Sequence, residues 1–481
     1  MAAEAVEVEE NANVPVDESR CVFFRYVCGD MRPLKVWLEG KPAPVRFLDW
    51  YVRGATQPLF LSNPLGGVLV ISGLLVESPW MGLCGLVGLL FSTLTAVIFR
   101  QGKGCVESGG GGFNGLLTGL LLAALSRDPD WHGLTIVPVI VMAIISTFVN
   151  SGLSGILGKM ELPSLNLAFN VAVLVYTTAA GPRDSYPRLY RAGEQQLLPN
   201  QTANLTAADQ IDWIRVLQAV PVGVGQCYGC GQAVAGGLIS AGILVSSPMV
   251  FYHCVMGAVI GIGTALILGV PLHWVYSGAC AYNSVLGTAA VGGVFYVLTI
   301  QSHLLSLVCG EKRPYPMVVR TVIQKWFVLG KIHSSGVLFF SVLCGSMPVF
   351  VASSAMLVTF RMRLSSSLAD KSILGTSAIR AIELTYVVYN IMYAPVSAIK
   401  VLLPFCYPGI FCALLWAGMT DVFAMLDLPV LAFPFCLGTL LFLGATSESR
   451  ALQKVPLSHV TYPEEHRRRF KRNVIVPANP N

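Results

Sequence analysis

Two short stretches decide how this chain is read: "SGGGGFNG" at 108–115 and "SGACAYNS" at 277–284. They lie 169 residues apart, and the same register extends well beyond them. Gln57 falls on Gln226, Gly67 on Gly236, Gly73 on Gly242, Ser78-Pro79 on Ser247-Pro248, Gly88 on Gly257 and Phe113-Asn114 on Tyr282-Asn283. A gap-free match at glycine, proline and polar positions is far stronger than shared hydrophobicity, so the chain contains a duplicated unit.

Both stretches are flanked by apolar sequence. Of the 481 residues, 54% are hydrophobic and 12% charged, against roughly 25% charged in a soluble domain. Runs approaching the ~20 apolar residues of a bilayer crossing recur, at Pro79–Phe99, Leu134–Leu153, Pro248–Val270 and Ala432–Ala445 with its flanks. The expected fold is an all-α polytopic membrane protein. In duplicated membrane folds the solute path runs between the halves and is lined by broken helices. Non-helical backbone at membrane depth is tolerated only where it is buried or lines a cavity. The two glycine-rich stretches are the candidate breaks, and with an odd number of crossings per half the second half would be inverted.

Charge sets the expected orientation. The formal net charge of +6 gathers at the ends, in Arg20, Arg25, Arg32, Lys35, Lys41, Arg46 and Arg53, and again in Arg467, Arg468, Arg469, Lys471 and Arg472. Juxtamembrane positive charge marks the cytosolic side, which puts both termini inside and makes the number of crossings even. Anchoring flanks need no nucleic acid as partner. Residues 1–20 are acidic and polar, unlike a secretory signal, so insertion is expected through the chain's own spans. The polar interruption at 183–212 carries two glycosylation sequons, Asn200-Gln201-Thr202 and Asn204-Leu205-Thr206, and is placed outside.

A second pair of elements exposes an irregularity. "ELPSLNLAFN" begins at Glu161 and "DLPVLAFPFC" at Asp427, so their Leu-Pro pairs are offset by 266 residues rather than 169, an excess of 97. The resulting division is 1–53 cytosolic, 54–182 first repeat, 183–212 outer loop, 213–310 and 409–446 second repeat, 311–408 an atypical insert, and 447–481 a cytosolic tail. The insert holds apolar stretches at Ser335–Phe360 and Ala381–Leu403. It reads either as two added crossings, which preserve parity, or as material without function.

Several segments carry a family resemblance. "RYVCGDMRPLKVWLEGKPAPVRFLDWYVRGATQPLFLSNPLGG" from Arg25, "QAVPVGVGQCYGC" from Gln218, "FNVAV" from Phe169, "TIQSHLLSLVC" from Thr299 and "PLSHVTYPEEHRR" from Pro456 resemble the eukaryotic urea transporters. The resemblance covers about 20–310 and 410–470. It implies a passive urea channel in the plasma membrane, two inverted halves, a pore through each subunit, a homotrimer and no cofactor. By that resemblance Gln57 and Gln226 open the path, Phe60, Phe113 and Tyr282 form flat slots, and Leu117 and Leu286 narrow it. The family places a threonine at the centre of each half, where this chain has Asn166 and Ala432.

The chemistry fits such a path. Urea is flat and neutral, with four N–H donors and one acceptor, and dehydrating it is costly unless the pore replaces hydrogen bonds. Ion and proton paths show paired intramembrane charges instead. Cys227 and Cys230 have C-x-x-C spacing but lack two further zinc ligands. His253, His273 and His303 stand without close acid–base partners, and Glu77 and Glu107 are weak candidates for a proton path. Two other readings stay open here: a coupled transporter of another small amide or ammonium, and a non-conducting membrane homologue.

Overall fold

A computed structural model describes residues 27–126, 133–180, 211–297, 407–425, 428–444 and 454–467. Asn200 and Asn204, the stretches Ser335–Phe360 and Ala381–Leu403, His303 and the chain ends lie outside these residues. The described residues are helical and contain no β-strand.

The first half begins with two amphipathic helices, α1 (Arg32–Glu39) and α2 (Ala43–Gly54), followed by α3 (Pro64–Glu77), α4 (Pro79–Ile98), the short α5 (Lys103–Glu107), α6 (Phe113–Leu125), α7 (Ile136–Leu157) and α8 (Leu167–Ala180). The second half repeats the series as α9 (Trp213–Gly225), α10 (Ala233–Ser246), α11 (Pro248–Ile267), α12 (Leu272–Tyr276), α13 (Tyr282–Ala289), α14 (Tyr407–Met425) and α15 (Phe433–Gly444). The bounds of α10, α11 and α12 are those of α3, α4 and α5 displaced by 169 residues, and α13 starts at the same displacement from α6.

Local chemistry explains where these helices start. Proline occupies the first position of α3, α4 and α11, where its missing N–H is no loss. The preceding residue supplies the cap: Asn63 accepts from Gly66 N, Ser78 from Met81 N and Ser247 from Val250 N. A polar side chain there binds an N–H that has no partner within the helix.

Helices α4, α7 and α11 are long and apolar enough to cross a bilayer, α4 and α11 with 20 residues each, or about 30 Å at 1.5 Å per residue. Helices α9 and α10 pass the same test as a pair bent by 74°. The fourth expected crossing, around Ala432–Ala445, is corrected: α15 has 12 residues, about 18 Å, or roughly half the apolar slab. The cause is local. Leu431 takes a left-handed turn at φ 52°, as its counterpart Leu165 does at φ 49° before α8, and the helical path restarts there.

The halves meet along α3 and α10. Gly66, near the start of α3, lies against Gly242 and Ser246 near the end of α10, and a β-carbon on Gly242 would stand 2.8 Å from the Gly66 carbonyl oxygen. Gly73, at the other end of α3, would come within 3.0 Å of the Ala235 oxygen. Gly66 and Ala235 are repeat counterparts, as are Gly73 and Gly242. The contacts are therefore reciprocal and the two helices antiparallel, the pattern of a local two-fold. Small residues let apolar helices approach this closely, and dispersion then holds them.

One end of the bundle gathers both terminal segments. Arg53 is fully buried and donates to Asp49 Oδ2 (2.6 Å) and to the carbonyls of Asp30 (2.8 Å) and Ser62 (2.6 Å). Ser62 N donates to Tyr462 Oη (2.9 Å), and the Glu464 carboxylate caps α11 by accepting from Ser247 Oγ and Met249 N. Burial pushes the Tyr462 phenol above its usual range.

Gly66→Val is expected to force α3 from α10. Overpacking of this kind costs about 1–3 kcal/mol, and a lowered melting midpoint in detergent, read by size-exclusion after heating, checks it. Gly237→Val on the same helix pair, where a β-carbon would meet nothing within 4 Å, is expected to leave the midpoint unchanged.

Candidate functional site

Each half breaks at the stretch that opened the sequence reading. Gly109 and Gly278 adopt φ of 84° and 68°, a region that favours glycine. Each presses its backbone on a glycine of the preceding layer, Gly109 on Gly54 and Gly278 on Gly223, themselves 169 residues apart. The chain then turns into α6 and α13.

Gln57 and Gln226 begin short 3-10 turns beyond α2 and α9. Their side-chain amides donate to the first residue of each break, Gln57 Nε2 to Ser108 O at 2.7 Å and Gln226 Nε2 to Ser277 O at 2.9 Å. Both residues are half-buried. Their Oε1 atoms have no protein donor among the described residues, which leaves each as an acceptor.

Phe60 closes the first 3-10 turn with φ 63°, where the second half has Gly229 at φ 77°. Its ring stands edge-on to Phe295, with centroids 5.3 Å apart, and 6.2 Å from Phe435. Phe113 and Tyr282 open α6 and α13 and are half-buried; Tyr282 Oη donates to Leu431 O at 2.6 Å. One turn further, Leu117 and Leu286 are buried.

The residues after these aromatics were not singled out as site residues, yet they organise the centre. Asn114 Oδ1 accepts from Phe169 N (3.2 Å) and Asn283 Oδ1 from Phe435 N (3.0 Å), so each break clamps the start of the short helix behind it. A third asparagine crosses between the halves: Asn170 Oδ1 accepts from Ala432 N at 3.1 Å. Its counterpart Cys436 lies beside the Asn166 backbone and accepts from Asn170 Nδ2 at 3.6 Å. The starts of α8 and α15 thus hold each other. A buried asparagine in an apolar run, repeated at one offset, is the sequence signal for such a role.

Asn166 and Ala432 occupy equivalent places at this crossing, 2% and 4% exposed. The Asn166 side chain has no hydrogen-bond partner among the described residues.

Other candidates fall outside this centre. Glu77 accepts from Gln232 N at 2.9 Å and serves as the cap of α10, while Glu107 faces Lys103 at the surface, 3.9 Å away. His253 Nδ1 bonds Met249 O at 2.7 Å, and His273 is stacked obliquely beside Trp274. Cys227 and Cys230 are buried around Tyr228, whose hydroxyl donates to Ala55 O at 3.0 Å. Among the described residues no group of three or more His, Cys, Asp or Glu could hold a metal. Arg53 is the one buried Arg, Lys, Asp or Glu among them.

A family model described as "Urea transporter" matches residues 48–311 and 381–474. Urea transporter 1 of Capra hircus is 31% identical over 443 residues, covering 92% of this chain and 88% of that protein. Urea transporter 1 of Mus musculus is 38% identical over 302 residues, 62% of this chain and 77% of that one. The match resumes at 381, so residues 381–408, expected to be foreign, fall within the family pattern and the unmatched segment narrows to 312–380.

Asn114→Leu and Asn283→Leu each strand a buried backbone N–H. Each is expected to cost about 1–3 kcal/mol and to lower the melting midpoint in detergent. Asn166→Leu breaks no protein hydrogen bond and is expected to leave the midpoint within about a degree, or to raise it.

Proposed function

This chain belongs to the urea transporter family, and we propose that it is a passive channel that carries urea down its gradient along the broken helices, without catalysing a reaction. The observation that carries the reading is the pair of glutamine carbonyls. Gln57 and Gln226 each commit one N–H to the Ser108 or Ser277 carbonyl, which fixes the amide while its carbonyl oxygen stays open to a donor. Urea brings four N–H donors and one acceptor, and acceptor-rich mouths match that balance.

The centre between them is buried and uncharged. Leu117, Leu286, Asn166 and Ala432 supply apolar contact and one amide, with no side chain to carry a proton or bind an ion. A neutral solute needs neither. Phe60, Phe113 and Tyr282 would act as flat walls that admit a planar molecule edge-first.

The antiparallel packing of α3 on α10 supports inverted halves, because counterpart helices related by a local two-fold in the membrane plane would cross in opposite directions. Both termini are assigned to the cytosol, supported by the terminal arginines and by the shared collar of Arg53, Ser62, Tyr462 and Glu464. The plasma membrane location, the homotrimer and glycosylation at Asn200 and Asn204 complete the reading. A lipid belt is expected around the apolar outer faces, where Leu65, Val68, Leu75 and Val76 of α3 and Val137, Val141 and Phe148 of α7 are exposed.

The test is urea flux into liposomes holding the purified protein. Uptake is expected to exceed that of empty liposomes and to be indifferent to imposed proton or sodium gradients. Uptake equal to empty liposomes overturns the pore, and dependence on a gradient overturns passivity. Gln57→Leu and Gln226→Leu each remove an acceptor at a mouth, and each is expected to lower flux about tenfold, as the loss of one hydrogen bond of about 1.4 kcal/mol would.

A further inference from the structure

Five asparagines among the described residues of the two halves are 3% exposed or less: Asn63, Asn114, Asn166, Asn170 and Asn283. Four have a clear structural use. Asn63 caps α3 and donates to the Val27 and Gly29 carbonyls, Asn114 and Asn283 hold the starts of α8 and α15, and Asn170 holds Ala432 N. Asn166 is the exception. Its carboxamide is 2% exposed and bonds no described protein group, although leaving such a group unpaired in an apolar interior is costly. Its hydrogen-bonding capacity is therefore available to a group that is not part of the described protein.

The equivalent position of the second half is the reverse. Ala432 stands there, 4% exposed, and offers a methyl group. The two positions are coupled directly, since the Ala432 N–H is bound by Asn170 of the first half and Cys436 of the second lies beside the Asn166 backbone. Leu117 and Leu286, assigned to the same pathway, are buried and apolar. On that pathway the centre therefore offers a hydrogen-bonding side chain at 166 and an apolar one at 432.

We propose that this one-sided centre selects small planar amides with one amide edge and one apolar edge, of which acetamide is the simplest, over urea. The inference rests on the pathway proposed above. A primary amide can pair with the Asn166 carboxamide through two bonds, its N–H to Oδ1 and its C=O from an Nδ2 hydrogen. Acetamide then turns its methyl to Ala432 and leaves one N–H outside the pairing, where urea leaves three. Urea pairs equally well on the Asn166 side but presents its second NH2 to a methyl group, and those N–H donors lose water without replacement.

The experiment measures acetamide and urea permeability in liposomes of wild-type, Ala432→Thr, Ala432→Ser and Asn166→Leu protein, each after subtraction of the empty-liposome value. All are first checked for a monodisperse size-exclusion peak, and the serine variant stands in if threonine does not fit. Wild type is expected to pass acetamide faster than urea by about tenfold. A hydroxyl at 432 is expected to raise urea flux and cut that ratio about tenfold. Asn166→Leu is expected to lower both fluxes about tenfold, since both solutes lose the same pairing. If both solutes cross and the ratio is the same with alanine, serine or threonine at 432, the one-sided selection is overturned while the pathway stands. If neither solute exceeds empty liposomes in any version, the pathway and the selection fall together.

Discussion

The structure depends on one constraint: where a helix is interrupted inside an apolar slab, the protein must bind the backbone N–H groups that the interruption frees. Water is not there to do it, and each unpaired group costs free energy on the scale of a lost hydrogen bond. The chain meets the constraint with asparagine. Asn114 and Asn283 accept from Phe169 N and Phe435 N, and Asn170 accepts from Ala432 N. Without them the short helices α8 and α15 would have no reason to begin where they do. The path between the breaks would then lose its walls.

Close approach of backbones supplies the second condition. The breaks at Gly109 and Gly278 rest on Gly54 and Gly223, and Gly66 and Gly73 bring α3 onto α10. Lipid contributes no hydrophobic drive between helices, so contact area and dispersion must hold them. Small residues therefore recur at the contacts that fix the geometry. The glutamines complete the arrangement: bound to the Ser108 and Ser277 carbonyls, they position themselves and the breaks together.

Function follows from what such a framework leaves over. Most polar groups near the centre are consumed in holding backbone. Those left include the carbonyls of Gln57 and Gln226 and the carboxamide of Asn166, all neutral. A set of neutral donors and acceptors can exchange hydrogen bonds with an amide as it passes. The difference between Asn166 and Ala432 also breaks the pseudo-symmetry of the centre, as Phe60 and Gly229 do at the 3-10 turns.

Much of this was legible in the residues alone. The offset of 169 and the apolar runs specified a duplicated helical membrane protein, the glycine-rich stretches located the breaks, and the absence of paired intramembrane charges pointed to a neutral cargo. Helix length was less legible: Ala432–Ala445 reads as a crossing, and the left-handed turn at Leu431 makes it half of one. The roles of individual asparagines were not legible at all. Asn166 and Asn170 are one turn apart and identical in kind, yet the Asn170 side chain is bound to the other half and that of Asn166 bonds no described residue. Periodicity, composition and repeat register are properties of neighbours along the chain, and the sequence determines them by itself. Which amide holds a backbone group is decided by residues some 260 positions away that only folding brings together, as Ala432 N is brought to 3.1 Å from Asn170.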